Sequence, residues 1–307
     1  MINPISFKTS QTIKELICDI EAAYEADCLY INGPIEPSVS TFAREFINTM
    51  KKEIQRDKLC VILTTNGGDA ITVERLVNIF RHNYKEVDFI IPDYAYSAGT
   101  ILCMSGDNIH MDYNSVLGPI DPQVQNREGR FVPALGYLEK IGELLKKAGD
   151  NRISEAEFLI LKDFDLAEIS LFEQAKDLTE ELLEKWLTQY KFKNWERHSS
   201  TGERVTHQDK KDRAKEIAKA LADYERWKSH GRPLNKEILS ELKLEIEDFG
   251  KWLGFAILTW SVPGLVFFIW TFANLVPRSD AIYKFYKEKF PIEMQGKNLK
   301  RIFPFIY

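Results

Sequence analysis

Cysteine is scarce in this 307-residue chain: Cys18, Cys28, Cys60 and Cys103, with no C-x-x-C pair among them. That spacing argues against a disulfide framework or a cysteine-based zinc site and favours reduced thiols. A basic excess is missing too. Lys and Arg number 41 against 46 acidic residues, a net charge of -5, which argues against a general nucleic-acid binder with a basic face. No G-x-x-x-x-G-K-[ST] loop is present, so any ATP-driven unfolding would need another protein. The opening MINPISFKTSQTIKELICDIEAAYEAD is acidic and has no apolar core, unlike a secretory signal. Together with the thiols, this predicts a chain that stays on the cytosolic side. The five histidines have no metal-ligand spacing, and neither a metal nor a cofactor is expected. Internal repeats and long low-complexity tracts are also lacking.

What remains is ordinary globular material, 44% apolar and 28% charged, long enough for one large domain or two modest ones. Residues 9–25 repeat Ile13, Ile17, Ile20 and Ala23 at helical spacing, with Ser10 as a cap. CLYINGPI reads as a strand ending at Gly33-Pro34, and VSTFAREFINTMKKEIQRDK as an amphipathic helix. LCVILTT is a nearly unbroken apolar run, the mark of a strand buried on both faces. It ends at NGGDA, a helix follows through ITVERLVNIFRHNY, and VDFIIPD is another buried strand. A helix of about ten residues is expected after Ser97, then a strand and turns in NIHMDYNSVLGPIDPQ. Strands alternating with helices over the first ~125 residues predict an α/β unit with a largely parallel sheet. From about 135 to 250 the pattern is helical and highly charged, and NWERHSSTGERVTHQDKKDR reads as a mobile connection between helices.

In such sheets active residues lie on loops past the strand C-termini, where both NGGDA and YSAGT fall. At a helix start, Ser97 is followed by the free N–H groups of Ala98 and Gly99, and the helix dipole favours negative charge there. Gly67-Gly68 can supply a second donor to an oxyanion, because glycine lets backbone approach a ligand. From the residues alone two readings stand: Ser97 as a nucleophile, or Ser97 as an N-cap beside a Gly-Gly turn.

The ordered set TTNGGDA, SAGT and NSVLGPIDPQ resembles the Clp/crotonase-fold serine peptidases, and within them the serine dehydrogenase proteinase family, related to signal peptide peptidase A. The resemblance covers roughly residues 28–124 and continues faintly through AKEIAKALADYERWKSHGRPL. It implies a Clp/crotonase-like α/β fold, with Ser97 as nucleophile, the Gly68 and Ala98 N–H groups as the oxyanion hole, and Gly67 and Gly99 lining the substrate site. It also implies a polypeptide substrate and a homo-oligomer. The expected organisation is a catalytic domain over 1–180, a charged helical extension over 181–250, and an apolar segment with a basic tail over 251–307.

The base is the departure. Where a Clp-type histidine follows the Asn-Ser strand, Ile120 or Asp121 stands, which does not support a triad of that type. The signal peptide peptidase A resemblance implies a lysine forty to fifty residues after the serine, and Lys140 falls in that window. Such a base must be held well below the usual lysine pKa of about 10.4 by burial. The helix YLEKIGELL is expected to set Lys140 against apolar surface, with Lys162 as a second candidate and Lys146-Lys147 solvated. Among the histidines, His110 reads as a packed strand residue and His230 as part of a capping SHGRP turn.

Trp252 to Val276 holds no charged residue over 25 positions, enough to span a hydrocarbon core of about 30 Å. Pro263-Gly264 breaks it. A membrane-lying hairpin that keeps both ends cytosolic is expected, against the alternative of an arm packed into an oligomer. The overall expectation is a serine peptidase acting through a Ser97 acyl-enzyme. The competing readings are a Clp-fold scaffold without a competent base, and a crotonase-type acyl-CoA enzyme.

Overall fold

The computed structural model describes residues 17–249, apart from 54–55, 126–128 and 130. Helix α1 (residues 17–24) leads into β1 (Asp27–Asn32), α2 (Pro37–Glu53) into β2 (Lys58–Thr64), and α3 (Ala70–Asn83) into β3 (Glu86–Ile91). A two-residue strand β4 (Tyr94–Ala95), the short helix α4 (Ala98–Cys103), β5 (Asn108–Met111) and β6 (Val116–Leu117) follow. Strands β1, β2, β3 and β5 form one parallel sheet in that order, and β9 (Glu247–Asp248) joins its edge beside β5. Helices between strands return the chain to the same end of the sheet, which is why the pairing is parallel.

The period-2 alternation sorts side chains onto two faces. Leu29, Ile31, Leu59, Val61, Leu63, Val87 and Phe89 enter the main core with residues of α2 and α3. Cys28, Cys60, Ile62 and Ile90 face the other way, under Ile17 and Ile20 of α1 and beside Phe249. β2 is buried along its middle five residues, as its apolar run predicts. The expected α/β, Clp/crotonase-like architecture with a charged helical region is the one observed.

Past the sheet, β7 (Gln123–Gln125) and β8 (Phe131–Pro133) pair antiparallel. The helices α5 (Ala134–Gly149), α6 (Glu155–Asp163) and α7 (Leu166–Trp186) then follow. α7 continues as a π turn, Leu187–Lys191, before α8 (His207–Ala222), α9 (Tyr224–Trp227) and α10 (Lys236–Glu241). Leu182, Leu183 and Trp186 of α7 and Ile217, Ala218 and Leu221 of α8 share the main core with the sheet. A boundary at 180/181 therefore cuts through α7, inside that core.

Two local expectations differ. α4 stops at Cys103, shorter than ten residues. The Ser105 hydroxyl donates back to the Leu102 carbonyl at 2.6 Å, and Gly106 passes so close to the Phe89 ring that an added Cβ would lie 2.7 Å from it. The polar stretch before α8 is a bonded hairpin rather than a loose connection: Arg197 bridges Arg204, and the His198 N–H donates to the Glu203 carbonyl. Its backbone bonds do not depend on apolar side chains, so no periodicity announces them. Trp252–Val276 lies outside the described residues; among those described, no helix is long and apolar enough to cross a membrane.

Candidate active site

The loop after β2 is shaped by its neighbours. Asp69 caps α3, its carboxylate accepting from the Ile71 and Thr72 N–H groups. The Gly67 carbonyl accepts from Ile35 N–H at 2.8 Å, and Asp69 N–H donates to the Ile35 carbonyl at 2.9 Å. Ile35 thus clamps both sides of Gly68, so closely that a Cβ on Gly68 (φ +151°) would meet the Ile35 oxygen at 2.2 Å. In a trans peptide the C=O and N–H point in opposite directions. With the Gly67 carbonyl turned to Ile35, the Gly68 N–H is aimed away from it, and Gly68 is exposed.

The second loop touches the first: a Cβ on Gly67 (φ +109°) would lie 2.8 Å from the Ser97 Cβ. Thr65 ties them by backbone, its N–H donating to the Tyr94 carbonyl and its carbonyl accepting from Tyr96 N–H. Ser97 itself sits at φ 54°, ψ -118°, half-buried, and its hydroxyl makes no capping bond to α4. A non-glycine residue held there costs about 1–3 kcal/mol, which the surrounding structure must supply. A cap would gain nothing from that geometry; a serine at the tip of a strained strand-to-helix turn is the arrangement that exposes a nucleophilic Oγ. Among the described residues, no protein acceptor takes the N–H of Gly68 or Ala98. Both candidate oxyanion donors are free on the two loops that converge on Ser97.

A carboxylate–imidazole pair lies along the next segment. Gly118 packs against Tyr96, the residue before Ser97, so that a Cβ on Gly118 would stand 2.4 Å from the Tyr96 ring. Three residues on, Asp121 is 2% exposed, and its Oδ1 stands 2.8 Å from His230 Nδ1 while its Oδ2 accepts from the Gln123 amide at 2.6 Å. His230 is brought there by the Leu117–Leu234 bridge, made in both directions at 3.0 and 2.9 Å. A carboxylate only accepts, so Nδ1 is the nitrogen that donates to Asp121, which in the neutral form of the ring leaves Nε2 as an acceptor.

The model of the ClpP-like SDH-type serine proteinases matches residues 43–210, more than half of the chain. The chain belongs to that family. An uncharacterized protein of Methanocaldococcus jannaschii is 31% identical over 186 residues, 61% of this chain and 51% of the relative. A second protein from that organism is 26% identical over 205 residues, covering 67% and 59%. The other end is similar to something else. The model of 3-oxo-5-alpha-steroid 4-dehydrogenase matches residues 246–307, and a steroid 5-alpha-reductase of Solanum lycopersicum is 53% identical over 57 residues, 19% of this chain and 22% of that enzyme. The chain thus spans less than two thirds of the length of each of these relatives. Among solved structures, two mutants of a membrane-bound stomatin-specific protease match with a TM-score of 0.30. One is 19% identical over 39% of this chain and 61% of its own. The other, in complex with a substrate peptide, is 21% identical over 47% and 69%.

The expected burial of Lys140 is not what the structure has. Lys140 is not set against apolar surface: its side chain is 61% exposed and its Nζ stands 2.8 Å from Glu143. The hydrogen bond and charge of Glu143 raise its pKa, the opposite of what a neutral base needs. Lys162 and Lys146 are exposed, and Lys147 pairs with Glu157 at 2.5 Å. The two glycines expected to line the substrate site are both held by their own loops. Gly99 is buried, packs where a Cβ would meet Thr65 at 2.4 Å, and spends its N–H on the Tyr96 carbonyl. Gly67 borders Ser97 through its α-carbon alone, since its N–H donates to Thr65 Oγ1 and its carbonyl accepts from Ile35.

His230 lies in the turn after α9, as expected; its contact with Asp121 is what sequence reasoning missed. Its one signal was an acid, Asp121, set between Ile120 and Pro122 in a stretch otherwise apolar: a buried carboxylate needs a partner. His110, by contrast, is the packed residue expected, edge-on to Tyr24 and 3.3 Å from Asp88 under α1.

Proposed function

We propose that the protein cleaves peptide bonds through a Ser97 acyl-enzyme, with His230 as general base and Asp121 holding its ring. The observation that carries this reading is the 2.8 Å contact between buried Asp121 and His230 Nδ1, on a segment packed against the residue before Ser97. His230 Nε2 takes the Ser97 hydroxyl proton as Oγ bonds to the scissile carbonyl carbon. The carbonyl oxygen becomes an oxyanion that accepts from the Gly68 and Ala98 N–H groups. The C–N bond then breaks as the imidazolium returns the proton to the leaving amine. Water, deprotonated by the same ring, adds to the acyl carbon and releases Ser97. Asp121 stays ionised throughout and stabilises the imidazolium.

A fluorophosphonate probe tests this directly. Covalent labelling of the wild type is expected to vanish in Ser97→Ala, fall in His230→Gln and persist in Lys140→Ala. Labelling unchanged in His230→Gln would remove the base assignment. No labelling of folded wild type would remove the peptidase reading altogether.

The uncharged stretch Trp252–Val276 supports a separate proposal, association with a membrane on the cytosolic side. It falls in the part similar to a steroid 5-alpha-reductase, of which only about a fifth is matched, and no steroid chemistry is assigned to it. Recovery of the full chain in the soluble fraction without detergent would overturn this.

A further inference from the structure

The catalytic reading asks two pieces of chain to keep a fixed spacing: the turn carrying Ser97, and the segment carrying Asp121 with His230 attached. One side chain joins them. Thr100, on the first turn of α4 and wholly buried, places its Oγ1 2.8 Å from the Ala95 carbonyl, 2.9 Å from the Gly118 carbonyl and 3.0 Å from the Gly118 N–H. The Gly118 N–H donates to this oxygen, and the single hydroxyl proton is left for the two carbonyls. β4 and β6 pair only through Tyr94–Val116 and Ala95–Leu117. Beyond that register the ladder ends, although Gly118 lies against Tyr96, where an added Cβ would stand 2.4 Å from the ring and 3.2 Å from the α-carbon. The Thr100 hydroxyl continues the pairing where the backbone cannot.

We infer that Thr100 is a positioning residue for the Ser97 reaction, its hydroxyl setting the spacing between the nucleophile turn and the Asp121–His230 pair. The inference rests on the serine-peptidase reading of the same site. Thr100 touches neither the Asp121–His230 pair nor the Ser97 hydroxyl by hydrogen bond, and it acts through the backbone of Gly118. From there the chain runs through Ile120, whose N–H is fixed on the Leu221 carbonyl at 3.1 Å, to Asp121. Leu117, on the other side of Gly118, holds Leu234 and with it the turn of His230. A shift at Gly118 therefore moves both members of the pair relative to Ser97. Displacements of about 1 Å in such constellations cost on the order of 10²-fold in rate.

The experiment compares Thr100→Val, of nearly the same volume but with no hydroxyl, with Thr100→Ser, which keeps it. The full chain is reacted with a fluorophosphonate probe over a range of pH. Thermal melting is followed in parallel so that rates are expressed per folded molecule. Thr100→Val is expected to react about 10- to 100-fold more slowly with an altered pH profile, and Thr100→Ser to recover to within about 3-fold of wild type. A valine variant that melts earlier but reacts at the wild-type rate with the wild-type profile would overturn the inference, leaving Thr100 a packing residue. Should Thr100→Val fail to fold, Thr100→Cys, which weakens the same bonds at similar volume, is judged by the same two outcomes. Wild type that folds yet does not react sinks the peptidase reading itself, an outcome distinct from any behaviour of the Thr100 variants.

Discussion

Asp121→Asn removes one charge at nearly constant volume from a site that is 2% exposed. Both oxygens of the wild-type carboxylate are engaged, one with His230 Nδ1 at 2.8 Å and one with the Gln123 amide at 2.6 Å. An asparagine has one acceptor and one donor end. Keeping its oxygen on His230 turns its NH2 toward Gln123, whose amide must rotate to offer its oxygen, and the charge-assisted bonds are lost. Keeping its oxygen on Gln123 presents NH2 to the ring and forces the proton onto Nε2, the nitrogen that must accept from Ser97. Hydrogen bonds to a charged group are worth about 1.5–3 kcal/mol, so a stability loss of roughly that size is expected in chemical denaturation. The kinetic effect is larger, because the wrong tautomer removes the base: a fall of roughly 10⁴-fold in acylation rate is the scale for such a change. The assay is the rate of fluorophosphonate labelling of Ser97, set beside turnover of a peptide substrate. Labelling within about 10-fold of wild type in a folded Asp121→Asn protein would refute the assignment, since a base that does not need Asp121 is not His230 held in this way.

Gly68→Ala brings a Cβ to 2.2 Å from the Ile35 oxygen at φ +151°; a loss on the order of 3 kcal/mol or more is expected in chemical denaturation, and wild-type stability would mean the loop is not clamped as described. Lys140→Ala removes only an exposed pair with Glu143, so peptide turnover is expected to stay within about 2-fold with stability little changed, and a large fall in turnover would return the lysine to the mechanism. Asp88 gives an acid-side test. Burial by itself raises its pKa, but hydrogen bonds from His110 and Lys58 outweigh that and hold it at about 2. A carboxyl depressed below its ordinary value contributes stability that is present above about pH 4 and lost as the pH falls toward 2, here about 2 kcal/mol. Asp88→Asn is expected to be less stable at neutral pH and to lose that part of the acid dependence; an unchanged difference between pH 5 and pH 2.5 would count against it.

The parallel sheet was legible because its signals are local. β2 is an apolar run with its glycines at the end, and the loops after β2 and β4 identify themselves by Gly67-Gly68 and by a serine beside a glycine. The same local reading singled out Ser97, Gly68 and Ala98, which the structure brings together on two touching loops. It could not decide between cap and nucleophile, since that turned on a backbone angle at Ser97 and a capping bond that is not made. Lys140 was chosen by its distance in sequence, and only packing revealed that its helix turns it to solvent.

Asp121 and His230 are 109 residues apart in the chain. Composition, periodicity and motif spacing determined the fold class and the residues lining one side of the site, because each depends on neighbours within a few positions. Which histidine meets Asp121 depends on the Leu117–Leu234 bridge, on α8 joining the sheet in one core, and on the Ile120 N–H reaching Leu221. Those are long-range contacts whose energy comes from burying surface contributed by both segments at once, so neither segment encodes them by itself.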